Sequence, residues 1–391
     1  MKYSDITKLK HLAQDKISRS ANPAVVRNST VFFKNIQELI KQENLVKKGS
    51  KVDFYEYGRA GSQTTIALQN FISDLEGAHR TFLTSTGFGA VALAILSICR
   101  PKDEIIVTDA VYAPTRMITS KLLKEFNVKT HFYNPESLES LQSKINKKTK
   151  MIFVENPGSN TFEFQDLSKI IKIAKKRKII TAIDNTWGTP FFIKPLKIGF
   201  DMSISSATKY LSGHSDVMLG SLAVNKKVFE KVKFCNKLLG YRASPDDAYL
   251  VLRGLRTLDV RLKKHEESTK KIVNFLKTQK KIDEILYPYK KGTENYENWK
   301  KYYSGSTGLF SVIIKSKNRN SIYNFINSLK LFGIGQSWGG FESLVLYQSN
   351  VIQRVYKKYI KPNHHIVRLH IGLEDPKDLI EDLKRAIKKI K

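Results

Sequence analysis

Leu167-Ser168-Lys169-Ile170-Ile171-Lys172-Ile173-Ala174-Lys175-Lys176-Arg177-Lys178, followed at once by Ile179-Ile180-Thr181-Ala182-Ile183-Asp184, decides the fold. In the first half Leu167, Ile170, Ile171 and Ala174 recur at helical spacing and give the segment one apolar face. In the second half apolar residues fall on both faces, as in a strand buried inside a parallel sheet. The alternation continues upstream. Segments 104–108, 128–133 and 151–155 read as strands, with helical patterns over 115–126 and 138–145 between them. Such alternation predicts an α/β domain with a mostly parallel sheet.

Beyond residue 255 the pattern changes. A charged helix over 261–279 leads to a loop at Pro288, then to short strands (310–314, 367–371) and helices (322–329, 379–390). These predict a smaller α+β domain. The first 60 or so residues have little core of their own and read as an arm. The expected division is an arm over 1–62, a large domain over 63–255 and a C-terminal domain over 256–391.

The chain of 391 residues carries 67 basic and 36 acidic side chains, a net charge of +31. That excess would suit an anionic partner, but the lysines are scattered through every segment. The densest run, Lys175 to Lys178, closes a helix, where cations are favoured by the helix dipole. Aromatic residues are not interleaved with the charges as stacking on nucleic acid requires. No nucleic-acid partner is expected. Met1 to Lys16 lacks the apolar core of a signal peptide, and the longest apolar stretch, Ala90 to Ile98, is too short to span a bilayer. The two cysteines, Cys99 and Cys235, have neither metal-type nor redox-type spacing, which suits a disulfide-free cytoplasmic protein.

Three segments carry chemistry. In Ser205-Ser206-Ala207-Thr208-Lys209-Tyr210 a lysine stands among small hydroxyl residues just past an apolar run. A lysine so placed has a lowered pKa and can form an imine with an aldehyde. Asp184 ends a buried strand, where α/β sheets place ligand-binding groups. Thr84-Ser85-Thr86-Gly87-Phe88-Gly89-Ala90 opens an apolar helix, whose bare N–H groups attract phosphate.

The three in this order resemble the Cys/Met-metabolism family of pyridoxal-phosphate (PLP) enzymes, and within it the bacterial cystathionine β-lyases. The resemblance runs over nearly the whole chain. It is carried also by Tyr57-Gly58-Arg59, Asp184-Asn185-Thr186-Trp187, Leu211-Ser212-Gly213-His214-Ser215-Asp216, Arg253-Gly254-Leu255-Arg256-Thr257-Leu258, Ser337-Trp338-Gly339-Gly340-Phe341-Glu342-Ser343-Leu344 and Arg368-Leu369-His370-Ile371-Gly372-Leu373-Glu374. It implies fold type I, with a mostly parallel seven-stranded sheet, and PLP as cofactor. By the same resemblance Lys209 is the Schiff-base lysine and Asp184 pairs with the pyridinium nitrogen. Gly87 and Phe88 offer backbone N–H groups to the phosphate, Ser206 and Thr208 add hydroxyls, and Tyr112 stacks on the ring. Arg368 clamps the substrate α-carboxylate, with Ser337 and Trp338 beside it. Tyr57 and Arg59 reach the phosphate of a neighbouring subunit, which implies at least a dimer and usually a tetramer. Lys209, with Tyr112 or Tyr57, is expected to handle protons.

Relatives acting at the γ-carbon typically carry leucine where Trp338 stands, and several have glutamate at the position of Gln336. Tryptophan there implies β-elimination from a sulfur amino acid, with L-cystathionine giving homocysteine, pyruvate and ammonia in methionine biosynthesis. Gln336, Met117 and Lys237 depart from the β-lyase pattern around the distal end of the substrate, which implies looser recognition and weak cysteine desulfhydrase and alanine racemase side reactions. Two alternatives stay open: a γ-lyase or γ-synthase of the same family, and a basic nucleic-acid-binding or regulatory protein on the same scaffold.

Overall fold

The computed structural model describes residues 3–11, 13, 19–48, 56–350 and 352–391. The reading of Met1 to Lys16 therefore lies partly outside the described residues, as do positions 49–55 of the arm. Seven strands build the large sheet: β1 (Arg80–Thr84), β2 (Glu104–Thr108), β3 (Lys129–Tyr133), β4 (Thr149–Glu155), β5 (Ile180–Asp184), β6 (Met202–Ser206) and β7 (Gly220–Val224). Their order is β1-β7-β6-β5-β4-β2-β3, and only β7 runs antiparallel to its neighbours. The sheet is thus the mostly parallel, seven-stranded one expected.

Both faces of the sheet are covered, so the central strand β4 is apolar on both over Met151–Val154, while the edge strand β3 stays polar and partly exposed. Ile152 and Val154 of β4 join one buried cluster with Leu68, Ile72 and Ile170, while Met151 and Phe153 join the other with Leu93 and Ile95. The helix expected over 115–126 is broken. It runs Ala113–Met117, widens into a π-helical turn over Ile118–Leu122, and ends at Leu123–Glu125. Thr119 and Ser120 donate their hydroxyls to the carbonyls of Thr115 and Arg116 four residues back, which competes with the regular ladder.

The second sheet contains β8 (Ile282–Leu286), β9 (Leu309–Lys315), β10 (Gly333–Ile334), β11 (Leu344–Tyr347) and β12 (His364–His370), in the order β10-β11-β12-β9-β8. It packs under the helices Leu258–Leu276 and Pro376–Ile387. The two sheets are tied by polar contacts as well as apolar ones: Trp187 Nε1 donates to Leu309 O at 3.0 Å, and Gly308 N donates to Tyr210 Oη at 3.0 Å. Near the N-terminus Leu9 is fully buried in the larger core cluster, and Asp5, Lys10 and Arg27 pair with Lys194, Asp259 and Asp246. No helix among the described residues is long and apolar enough to cross a membrane.

Candidate active site

The C-terminal ends of β4, β5 and β6 and the loop after β10 converge on Lys209. Parallel sheets present ligand-binding groups at this edge. Asp184, the last residue of β5, is mostly buried, and its Oδ1 accepts from Thr186 N (2.9 Å) and Thr186 Oγ1 (2.6 Å). Thr186 Oγ1 accepts from Ser206 N at 2.9 Å, so one threonine locks the ends of β5 and β6 together. Both bonds to Asp184 fall on Oδ1, which leaves Oδ2 for a cationic ring nitrogen.

Lys209 sits in the tight turn after β6, where Lys209 N donates to Ser206 O and Gly213 N to Lys209 O. Its Nζ donates to Ser337 Oγ at 2.6 Å and lies 5.5 Å from the centre of the Trp338 ring. Burial first and then the nearby Arg368 lower its pKa to about 8, against the opposing pull of Asp184. Near neutral pH an appreciable part is free amine, the form that attacks an aldehyde carbon.

At the other end of the site stands the helix Gly87–Ile98, its N-cap Thr86 accepting from Gly89 N at 3.0 Å. A Cβ on Gly87 would lie 2.4 Å from Ser206 Oγ, so only glycine lets this helix end close on the Ser206 hydroxyl. The Phe88 ring is partly exposed, at the first turn of this helix. Thr208 Oγ1 already accepts from Leu219 N at 3.0 Å, so its single proton is what it can give an anion, with Leu219 O at 3.3 Å as the competing acceptor. A helix N-terminus, two hydroxyls, a buried carboxylate and a lysine of lowered pKa fit a flat cationic ring with a phosphate tail and an aldehyde. PLP has those parts.

Arg368 rises from β12 and donates from Nη2 to Ser337 O at 3.1 Å. Burial lowers its pKa to about 10, so it stays charged. Tyr112 precedes the short helix at Pro114, half exposed, and its backbone N donates to Glu155 Oε2 at 2.6 Å. Burial raises the Tyr112 hydroxyl above its usual range, helped by Glu155. Glu155 escaped the sequence reading although it ends β4 as Asp184 ends β5, the two being register partners. Burial, then Asp184, pushes the Glu155 carboxyl well above the usual range.

The structure thus gathers Lys209, Asp184, Ser206, Thr208, Gly87, Phe88, Tyr112, Ser337, Trp338 and Arg368 from six separate stretches. Tyr57 and Arg59 stand apart on the surface. The Arg59 guanidinium lies 5.6 Å from the Tyr57 ring centre, and Gly58 N donates to Ser29 O at 2.7 Å. No hydrogen bond or ion pair among the described residues joins them to the Lys209 group. Gln336, Met117 and Lys237 are exposed, the last near the end of the helix Phe229–Leu239.

Residues 7–388 match the family model described as Cys/Met metabolism PLP-dependent enzyme. The cystathionine beta-lyase of Escherichia coli is 34% identical over 95% of this chain and 94% of its own. The L-alanine/L-glutamate racemase of Wolbachia pipientis is 32% identical over 95% and 93%. The crystal structure of cystathionine gamma synthase from Xanthomonas oryzae pv. oryzae superposes with a TM-score of 0.91 at 25% identity, covering 100% of this chain and 99% of that one. With its site built to hold PLP and its sequence matched almost end to end, the chain belongs to the Cys/Met metabolism family and is a PLP-dependent lyase.

Proposed function

We propose that the enzyme is a carbon–sulfur β-lyase that converts L-cystathionine to homocysteine, pyruvate and ammonia, in methionine biosynthesis. The observation carrying this reading is Trp338 beside Lys209, with Ser337 Oγ on the lysine amine. An indole at this point narrows the space over the substrate Cβ and favours release there rather than one carbon further. PLP, when bound, supplies the aldehyde that holds the substrate amine and a ring that stores the electron pair left at Cα. Everything else is done by the chain. Arg368 takes the α-carboxylate through paired N–H bonds, a geometry lysine cannot copy. Held so, the substrate cannot rotate about its Cα–N bond, and the Cα–H bond points at Lys209 Nζ. Lys209 removes that proton and returns one to the departing sulfur, a double role suited to a tuned amine. Ser337 Oγ steers Nζ between the two positions, and Asp184 keeps the proton on the ring nitrogen. Phosphate is held by the Gly87–Phe88 helix end with Ser206 and Thr208. In a dimer, Tyr57 and Arg59 of the neighbour complete that anchor; we take the assembly as a tetramer in the cytoplasm. The division into 1–62, 63–255 and 256–391 is part of the same reading. It is supported by the capped helix start at Ser62 and by the break between the helices Pro245–Leu255 and Leu258–Leu276.

Product analysis with L-cystathionine tests the assignment. Pyruvate with homocysteine supports it; 2-oxobutyrate with cysteine sinks it in favour of γ-chemistry. Trp338→Leu together with Gln336→Glu should raise 2-oxobutyrate relative to pyruvate. An unchanged ratio would move the determinant toward Met117.

A slower alanine racemase reaction accompanies the lyase in this reading, favoured by the racemase among the relatives. Alanine has no leaving group, so a proton removed by Lys209 can only return. Delivery from the face of Tyr112 gives D-alanine. In deuterium oxide the enzyme should exchange the Cα proton of L-alanine and form some D-alanine. Absence of exchange removes the side activity. The rate should stay far below elimination, because alanine has no distal group to supply binding energy.

A further inference from the structure

Two histidines lie buried behind the loop that carries Ser337 and Trp338, and the chemistry above uses neither. His370 is on β12, two residues past Arg368, and His265 is on the helix Leu258–Leu276. Their ring centres are 5.2 Å apart, and both pack on Tyr210, at 5.8 and 5.3 Å respectively. Tyr210 follows Lys209 in sequence and lies 5.4 Å from the Trp338 ring.

The loop is held in an unusual shape. Ser337 has φ +82° and Gly339 φ +88°, and the first of these is costly for a residue with a side chain. A Cβ on Gly339 would stand 2.8 Å from Tyr210 N and 3.0 Å from Lys209 C, so the loop presses directly on the lysine's backbone. Such a conformation persists only where the surroundings hold it. Two holds belong to the site itself: Arg368 Nη2 on Ser337 O and Lys209 Nζ on Ser337 Oγ. The third is Gly339 N, which donates to His370 Nε2 at 3.1 Å.

That third bond requires a lone pair on His370 Nε2. His265 Nδ1 meets Ile371 O at 2.7 Å, so it carries the proton and His265 Nε2 is an acceptor. If His370 accepts at Nε2, its proton is on Nδ1. His265 Nε2 and His370 Nδ1 are then one acceptor and one donor on adjacent rings, and both are buried without a partner among the described residues. The opposite tautomer would aim Nε2–H at Gly340 O, 3.2 Å away, but would leave two bare lone pairs buried together and Gly339 N–H without its acceptor. Burial, followed by the influence of His265, Arg368 and Lys209, keeps His370 neutral, with a pKa well below the usual imidazole range.

We propose that His370, its tautomer set by the Gly339 N–H it accepts, is a positioning residue that holds Gly339 and so keeps the 337–340 loop on Lys209 and Arg368 in line with the substrate carboxylate. This rests on the reading of Arg368 as the carboxylate clamp. The test is titration of the PLP-loaded enzyme with glycine, an amino acid with no leaving group, followed by the change in the cofactor's absorbance. His370→Gln places an amide acceptor near the Nε2 position, whereas His370→Asn reaches only the Nδ1 position. Both are polar and no larger than imidazole, and the melting temperature and cofactor content of each are compared with the parent's, a loss of either in His370→Gln counting against the proposal. Glycine binding should weaken about tenfold in His370→Asn and stay within about threefold of the parent in His370→Gln. Equal binding by all three proteins, or a glutamine variant as weak as the asparagine one, overturns the proposal. Arg368→Lys in the same titration separates the two claims. If it weakens glycine binding while the histidine variants do not, the clamp stands and the positioning role falls. If Arg368→Lys binds glycine as tightly as the parent, both fall.

Discussion

Lys209→Ala is expected to lose turnover by roughly 10⁴-fold or more and to lose the near-visible absorbance band that borohydride abolishes in the parent enzyme. The side chain has three tasks: covalent attachment to the aldehyde, removal of the Cα proton and delivery of a proton to sulfur. No neighbour can assume them. Ser337 and Thr208 are hydroxyls without a base beside them, and burial holds the Tyr112 phenol in its protonated form. The fold should survive, because among the described residues Lys209 Nζ hydrogen-bonds only Ser337 Oγ and the turn around it is held by backbone bonds. A variant retaining the borohydride-sensitive band would show that another lysine carries the aldehyde. The same protein tests the shared site. Arg59→Ala chains should also be inactive, and mixing them with Lys209→Ala chains should restore part of the activity, since some hybrid sites combine an intact Arg59 with an intact Lys209. If no mixture regains activity, Arg59 does not act across subunits.

Arg368→Lys should raise KM for L-cystathionine between about tenfold and a hundredfold, the worth of one lost charge-assisted hydrogen bond. The charge is kept; the paired geometry is lost. Because the clamp also aligns the Cα–H bond with Lys209, kcat should fall as well. A fall in kcat/KM that appears in KM alone would mean that Arg368 binds without orienting. Unchanged kinetics would place the carboxylate elsewhere. Arg368 has a second duty that makes the substitution more than local, since its Nη2 supports the carbonyl of Ser337, whose own hydroxyl holds the lysine.

Much of this architecture is written in local pattern. The central strands over 104–184 follow from hydrophobic spacing, because a strand covered on both faces must be apolar on both, as Met151 and Ile152 are. Lys209, Asp184 and the Gly87 helix end were legible for a related reason. Each sits where a buried element ends, and a polar residue at such a boundary must have a task. Boundaries were less legible. The break at Ile118–Leu122 depends on hydroxyls that choose carbonyls four residues back over solvent, a competition spacing does not reveal.

Other features were decided only when the chain closed on itself. Glu155 looks like any strand-end carboxylate until β4 and β5 pair and set it beside Asp184, where burial and a neighbouring charge raise its pKa. Thr208 reads as a phosphate donor in sequence, yet its oxygen is already engaged by Leu219 from the neighbouring turn. His370 reads as one more residue of a β-strand, and only the loop folded over it supplies the N–H that gives its imidazole a purpose. Short-range pattern specifies what an element is and which of its ends is polar, because those depend on burial and dihedral preference along the chain. Which polar groups share a charge, a proton or a lone pair depends on distances of about 3 Å between residues far apart in sequence, and these exist only in the folded protein.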